Sequence, residues 1–397
     1  MLSEDVAAAL AASGLVTIDR PPYSSTYQVA PAGHVGVAFV GGVELWIAPK
    51  VAIDRLIFML GYAHDPKSWR QGDVDVRNEN ELLPAMASAF LRQAERALLQ
   101  GVLQGYRETE DSLSVLRGRL QVEEQIRRRY GLAVPLEVRF DDWTTDIAEN
   151  QLLLTASLRL LRLPRVAPLV RQGLLRVAAR LAEVTPLLAG RPLPAWRATR
   201  LNVRYHAGVR LAELVLRGGS FEPTSGRLRV DGFMVSMPSV FEAFVTVALQ
   251  EALETNHGGR GSRQDPGHLD LAGQVPMRPD LVWYDDALQP LAVVDAKYKS
   301  EKTSGFPNAD IYQLLAYSTV LGLPVGHLVY ARGNEPKQVH TLKGSGTVIN
   351  QHALDLRLAP GALLESVQQL AYDIADMSRT SMRQAWHAPG PGSTALG

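Results

Sequence analysis

Pro279-Asp280-Leu281-Val282-Trp283, then Leu291-Ala292-Val293-Val294-Asp295-Ala296-Lys297-Tyr298-Lys299, is the stretch on which the fold turns. Both segments read as β-strands. The first opens on an acid; the second closes on acid-x-lysine. Side chains alternate faces along a strand, so Asp295, Lys297 and Lys299 project from one face and Val294, Ala296 and Tyr298 from the other. Asp295 follows the apolar run Leu291 to Val294, where a carboxylate without compensation is costly.

Working outward, Ser239 to Glu254 is a predicted helix, because Phe241, Phe244, Val245, Ala248, Leu249, Ala252 and Leu253 fall on one face. The glycine-rich 257–268 is expected to be a loop. Strands are predicted at 269–275, 279–285 and 291–299, a helix at 309–321 and a strand at 325–332, with 226–236 an extended lead-in. Nearer the N-terminus, a short helix and lead-in occupy 1–20. Strands at 27–30, 34–40 and 43–48 follow, the last two joined by Gly41-Gly42, a two-residue hairpin signal. A helix spans 52–62 and a polar loop 61–72. The middle carries helical segments at 80–105, 146–163 and 166–189, with a strand-like Leu136 to Phe140. Gly190 to Ala198, holding Pro192 and Pro194, reads as a linker. The expected division is a β-rich N-terminal domain over 1–75, a helical middle region over 76–198, an α/β domain over 199–385 and a disordered tail over 386–397.

The chain has 397 residues, 46% hydrophobic and 21% charged, within the range of globular proteins. No run of about 18 apolar residues suggests a membrane span, and the acidic start Met1-Leu2-Ser3-Glu4-Asp5 lacks the basic character of a secretory signal. There is no cysteine, so disulfides and thiolate metal sites are excluded, which fits a cytoplasmic location. No G-x-x-x-x-G-K-[ST] stretch exists to cradle a nucleoside triphosphate, and the histidines show no ligand spacing. Formal net charge is +0. A protein that grips DNA alone usually carries a basic excess, so any nucleic-acid contact here is local or shared with a partner. Only seven lysines stand against 34 arginines, and none lies between Lys67 and Lys297.

Two carboxylates and an amine at one sheet edge suit Mg²⁺-assisted phosphodiester hydrolysis. That ion takes hard oxygen ligands, keeps several waters and is held by one or two carboxylates plus substrate phosphate. Asp280 and Asp295 are the candidate ligands, with the Ala296 carbonyl as a further oxygen, and Lys297 the catalytic ammonium. Lys299 shares the Lys297 face and could reach phosphate. Glu242 could complete the metal shell, but Ser239-Val240-Phe241-Glu242 also spells a capping box, and the two roles compete for one carboxylate. Gln313 and Tyr317, four apart, share a helix face and could present polar groups to the site and the DNA backbone. Arg127 to Arg129 reads as a solvated helix end, and Gly258-Gly259-Arg260-Gly261 as a flexible loop.

At these residues the chain resembles the PD-(D/E)xK nuclease superfamily. Pro279-Asp280 and Asp295-Ala296-Lys297 supply the motif, and Gln313 with Tyr317 is similar to the Q-x-x-x-Y element of its RecB-like members. A narrower resemblance, to the McrC subunits of McrBC-type modification-dependent restriction systems, covers most of the chain. It rests on Gly41-Gly42 with Ile47-Ala48-Pro49-Lys50-Val51, Gly105-Tyr106-Arg107-Glu108, Leu116-Arg117-Gly118-Arg119-Leu120, Glu149-Asn150, Phe241-Glu242-Ala243-Phe244 and the acid–lysine segment itself. The resemblance implies a restriction-endonuclease-like core, a mixed sheet flanked by helices. It implies a Mg²⁺-dependent DNA endonuclease subunit, with Mn²⁺ as a substitute metal, and a hexameric AAA+ GTPase partner of McrB type. That partner would recognise modified double-stranded DNA and engage the N-terminal part of this chain, which would stimulate its GTP hydrolysis. The resemblance assigns Mg²⁺ to Asp280 and Asp295, catalysis to Lys297, and a place in the site to Glu242. Two other readings compete: an adaptor that only activates the motor, and a RecB-like exonuclease of another defence or repair system.

Overall fold

The structure is a computed structural model. It describes residues 2–21, 26–64, 66, 69, 82–163, 166–188, 190–217, 231–298, 308–331 and 338–387. The chain forms two compact units, Met1–Arg77 with Glu222–Gly397, and Asn78–Phe221. The sequence-based boundary at 198 therefore falls inside the second unit, and residues 1–75 group with the C-terminal half instead of standing apart.

The first unit begins with α1 (Glu4–Ala12). The Ser3 side chain accepts from the Val6 N–H, and Glu4 and Asp5 lie in the first turn, where carboxylates complement the helix dipole. Strand β1 (Val16–Asp19) pairs antiparallel with β2 (Gln28–Pro31). Strands β3 (His34–Val40) and β4 (Val43–Ile47) form the expected hairpin. Gly41 and Gly42 both take positive φ at its turn, as a tight hairpin requires. Helix α2 (Ile53–His64) runs past the predicted start of a loop at 61. Gly61 stays helical, and a Cβ there would meet the Trp69 ring at 2.1 Å.

The second unit contains α3 (Leu82–Leu98), β5 (Gly105–Leu113), β6 (Arg119–Leu120), α4 (Val122–Arg129), β7 (Leu136–Thr144), α5 (Ala148–Arg162), α6 (Pro168–Arg180) and α7 (His206–Arg217). It is not purely helical: β5, β7 and β6 form an antiparallel sheet in that order. The predicted helix over 80–105 stops at Leu98. Strand β5 is charged and largely exposed, so it carries no apolar period from which a strand could be read. Arg127, Arg128 and Arg129 are engaged with Glu124 and Glu137, consistent with a solvated helix end.

The chain re-enters the first unit as β8 (Asp231–Ser236), which pairs with β3. Helix α8 (Met237–His257) buries the predicted stripe, including Phe241, Phe244, Val245, Leu249 and Leu253. It packs on α2 through Phe58, Tyr62 and Phe244, and the Tyr62 hydroxyl donates to Glu251 Oε2 at 2.5 Å. Next come β9 (Arg260–Arg263), β10 (Gly267–His268), β11 (Pro276–Met277), β12 (Leu281–Tyr284), β13 (Pro290–Lys297), α9 (Asn308–Val320), β14 (Val325–Ala331), β15 (Gln338–Thr341), β16 (Val348–Leu354) and α10 (Pro360–His387).

A six-stranded mixed sheet has the order β15-β16-β14-β13-β12-β9. β13, β14 and β16 are parallel neighbours; the others are antiparallel. The parallel step from β13 to β14 is made through α9, the crossover that such a pair needs. Val293 and Val294 are both fully buried, as are Leu328 and Val329. Burial at both parities means that the sheet is covered on both faces. Ile311, Leu314 and Tyr317 of α9 cluster with Val282, Val293, Leu328, Tyr330 and Ile349. Helices α8 and α10 also pack against β13.

Two local expectations are corrected. Residues 269–275 are not a strand: the Asp270 carboxylate accepts the N–H groups of Gln274 and Val275, at 2.9 and 2.7 Å, and holds a turn. The glycine-rich segment contains strand β9, paired with β12. Gly258 and Gly259 turn the chain with positive φ, and a Cβ at Gly261 would stand 2.7 Å from the Gln250 side chain. Beyond 332 the sequence reading places no element, yet β15, β16 and the long α10 follow. Leu363, Val367, Leu370, Ala371 and Ile374 form the buried stripe of α10. The expected disordered tail, 386–397, lies outside the described residues except for its first two positions, which end that helix.

Candidate metal and acid–lysine site

The site lies where the ladder between β12 and β13 stops. Leu281 pairs with Val294, so one step further sets Asp280 beside Asp295, and two steps set Pro279 opposite Ala296. Proline has no N–H to give to a ladder. The Ala296 N–H donates to the Asp280 carboxylate, to Oδ2 at 2.9 Å. The other oxygen, Oδ1, accepts from Gln264 Nε2 at 2.7 Å. Gln264, just past β9, and Asp265 also donate their backbone N–H groups to the carbonyls of Asp280 and Pro279, at 3.0 and 3.1 Å.

Lys297 Nζ lies 2.7 Å from Asp295 Oδ2 and 3.9 Å from Asp280 Oδ2. The three side chains of the motif thus meet at one end of β13. Asp295 is 1% exposed and Asp280 5%. Burial and then the neighbouring Asp280 push the Asp295 carboxyl up to about 7, against the opposing pull of Lys297. For Lys297, burial works against the ammonium, but Asp295, Asp280 and Glu242 outweigh it and hold its pKa above the ordinary lysine value. The site is therefore short of positive charge: it favours the ammonium of Lys297 and disfavours the ionised form of Asp295.

Glu242 is not a capping residue. The N-cap of α8 is Ser236, whose Oγ accepts from the Ser239 N–H at 3.4 Å, so Ser239 already lies inside the helix. Burial, then Asp280, raise the Glu242 pKa, and Lys297 lowers it, which sets this carboxylate within electrostatic reach of Asp280 and Lys297. Gln313 Nε2 donates to the Tyr317 hydroxyl at 2.7 Å. Tyr317 is buried in the α9 cluster, and neither residue is hydrogen-bonded to Asp280, Asp295 or Lys297 among the described residues. Lys299 lies outside the described residues. Gln264 is the contact that sequence reasoning missed; it sits in a segment read as a loop, and no pattern marks it.

The donor set fits a hard divalent cation. Asp295 Oδ2 is fully buried and has no hydrogen bond of good geometry; its ion pair with Lys297 is at bonding distance but bent. Opposite Ala296 stands a proline, so its carbonyl finds no ladder donor there. Among the described residues, no three His, Asp or Glu side chains gather tightly enough to cage a metal. Two carboxylates plus a carbonyl suit an ion that retains waters, as Mg²⁺ does.

These features define a mixed α/β protein whose central sheet ends in a carboxylate–carboxylate–ammonium cluster. The family described as McrBC 5-methylcytosine restriction system component matches residues 29–331, and the chain belongs to that family. In fold it is similar to a chain of the half-complex from the tetradecameric assembly of Thermococcus gammatolerans McrB AAA+ hexamers with bound McrC. The TM-score is 0.57 at 21% identity, over 94% of this chain and 90% of that chain. A chain of the cryo-EM structure of the Thermococcus gammatolerans McrBC complex is similar at a TM-score of 0.36 and 23% identity, over 59% of this chain and 76% of that chain. No curated protein sequence matches this one. Among the described residues, no helix is long and apolar enough to cross a membrane.

Proposed function

We propose that this chain is an McrC-like subunit, a Mg²⁺-dependent DNA endonuclease that joins and stimulates an AAA+ GTPase ring of McrB type in the cytoplasm. The observation that carries the chemistry is the meeting of Asp280, Asp295 and Lys297 at one strand end, with Lys297 Nζ 2.7 Å from Asp295 Oδ2. Family membership supports the restriction-system context, and a structure similar in fold holds McrB AAA+ hexamers with bound McrC. The neutral net charge agrees with a subunit that borrows a partner's hold on modified double-stranded DNA. Residues 1–75 are the part proposed to engage the ring.

Asp280 and Asp295 would hold Mg²⁺ or Mn²⁺ with the Ala296 carbonyl, and Glu242 would join directly or through water. When bound, such an ion polarises the phosphoryl oxygens and acidifies a water. Lys297 would orient and help deprotonate the attacking water, or neutralise charge growing on the phosphorus oxygens. Gln313, Tyr317 and Lys299 would approach the DNA backbone.

The test is Asp295→Ala in the complex reconstituted with the partner ring, Mg²⁺ and modified DNA. Cleavage is expected to disappear while stimulation of GTP hydrolysis persists. Cutting retained by that variant would refute the site.

A further inference from the structure

Among the described residues only two non-glycine residues have positive φ, Gln264 at 49° and Leu288 at 61°. This region of backbone space disfavours a residue with a Cβ, and when it persists at a site the surroundings must hold it there. At Gln264 they do. The N–H groups of Gln264 and Asp265 bond the carbonyls of Asp280 and Pro279. The Asp265 carboxylate accepts from Ser262 Oγ at 2.6 Å and from the Tyr284 hydroxyl at 2.7 Å. The turn is thus tied to Pro279 and Asp280 through its backbone, and to β9 and β12 through Ser262 and Tyr284. Its outcome is one side-chain bond, from Gln264 Nε2 to Asp280 Oδ1 at 2.7 Å.

We infer that Gln264 is a positioning residue for metal binding: it holds one oxygen of Asp280 while the Ala296 N–H holds the other, so that the carboxylate plane is set before a cation arrives. A carboxylate has about four lone-pair sites. One donor on each oxygen stops rotation about the terminal bond and leaves a lone pair on each oxygen for a cation. Partners of this kind, which orient a ligand without touching the metal, typically contribute about 10- to 100-fold to affinity. The inference rests on the reading of Asp280 as a metal ligand.

The experiment measures Mn²⁺ binding to the full-length chain, without DNA or partner, by electron paramagnetic resonance of the free ion. Gln264→Met removes the amide at similar size. Gln264→Gly removes it while easing the left-handed turn, so a loss caused by backbone distortion would appear in the first variant only. Both are expected to bind Mn²⁺ about tenfold or more weakly while still unfolding in one cooperative transition. In cleavage assays with the partner ring, the Mg²⁺ concentration for half-maximal rate rises, and the rate at saturating Mg²⁺ stays near that of the parent. Wild-type affinity in Gln264→Gly overturns the inference, whatever Gln264→Met does. Asp280→Ala separates the two levels: if that variant also binds Mn²⁺ normally, the metal site itself is wrong.

Discussion

Lys297 Nζ sits 2.7 Å from an Asp295 oxygen that solvent does not reach. The pairing is a product of strand geometry, since residues two apart on β13 share a face. It places a compact cation on the carboxylate whose charge burial opposes most. The pair is held in place by the cost of separating it, because either partner alone would leave a charge with little compensation.

Replacing Lys297 by Ala is expected to lower the cleavage rate by roughly 10²–10³-fold, the usual size for losing one donor aimed at developing charge. Lys297→Arg should not restore it, because a planar guanidinium cannot replace a point-like ammonium in a narrow site. Single-turnover cleavage with the partner ring checks both.

The elevated Asp295 pKa makes metal binding depend on pH. A ligand carboxylate must lose its proton to bind, so Mn²⁺ affinity should rise with pH through about 7 and level off above it. The same group acts on folding in the opposite sense. The folded chain binds this proton more tightly than the unfolded chain does, so its contribution is full below the ordinary carboxylate value and is lost as pH rises through about 7. Added Mg²⁺ should therefore raise the melting temperature more at pH 8 than at pH 5.5. An equal shift at both would contradict the assignment.

Glu242→Gln separates the cap role from the site role. Since Ser236 caps α8, no cap is lost, and removing a charge that burial and Asp280 oppose should leave the melting temperature unchanged or slightly raised. Mg²⁺ dependence should shift to higher concentration by several-fold. Thermal melting and a Mg²⁺ titration of cleavage measure the two effects separately.

Gly36→Ala tests the joining of the N-terminal hairpin to β8. Gly36 has φ +128°, and a Cβ there would lie 2.0 Å from the Phe233 carbonyl oxygen. A loss of roughly 2 kcal/mol or more is expected from strain and displaced backbone. Chemical denaturation reads it. Wild-type stability would mean that β3 and β8 do not pair as described.

Much of the site could be read along the chain. The parity of β13 put Asp295 and Lys297 together, and the stripe of Phe241, Phe244 and Leu249 identified α8, because both rest on local periodicity. Charge hid β5, whose residues meet solvent and so follow no apolar pattern. Glycines hid β9, which owes its place to pairing with β12 and not to β-branched side chains. Glu242 was ambiguous because Ser-x-x-Glu is a true cap signal, and only the helix start at Ser236 removed it.

By itself, the amino-acid order determined that an acid and a lysine share one strand face, and that Pro279 could not continue a ladder. Both follow from covalent geometry within a few residues. Tertiary structure alone decided that Asp280 would stand beside Asp295, that Gln264 would reach Asp280, and that β3 would pair with β8. Those depend on hydrogen-bond register between segments distant in the chain, and register is set by the packing of whole faces, which no short stretch of sequence contains.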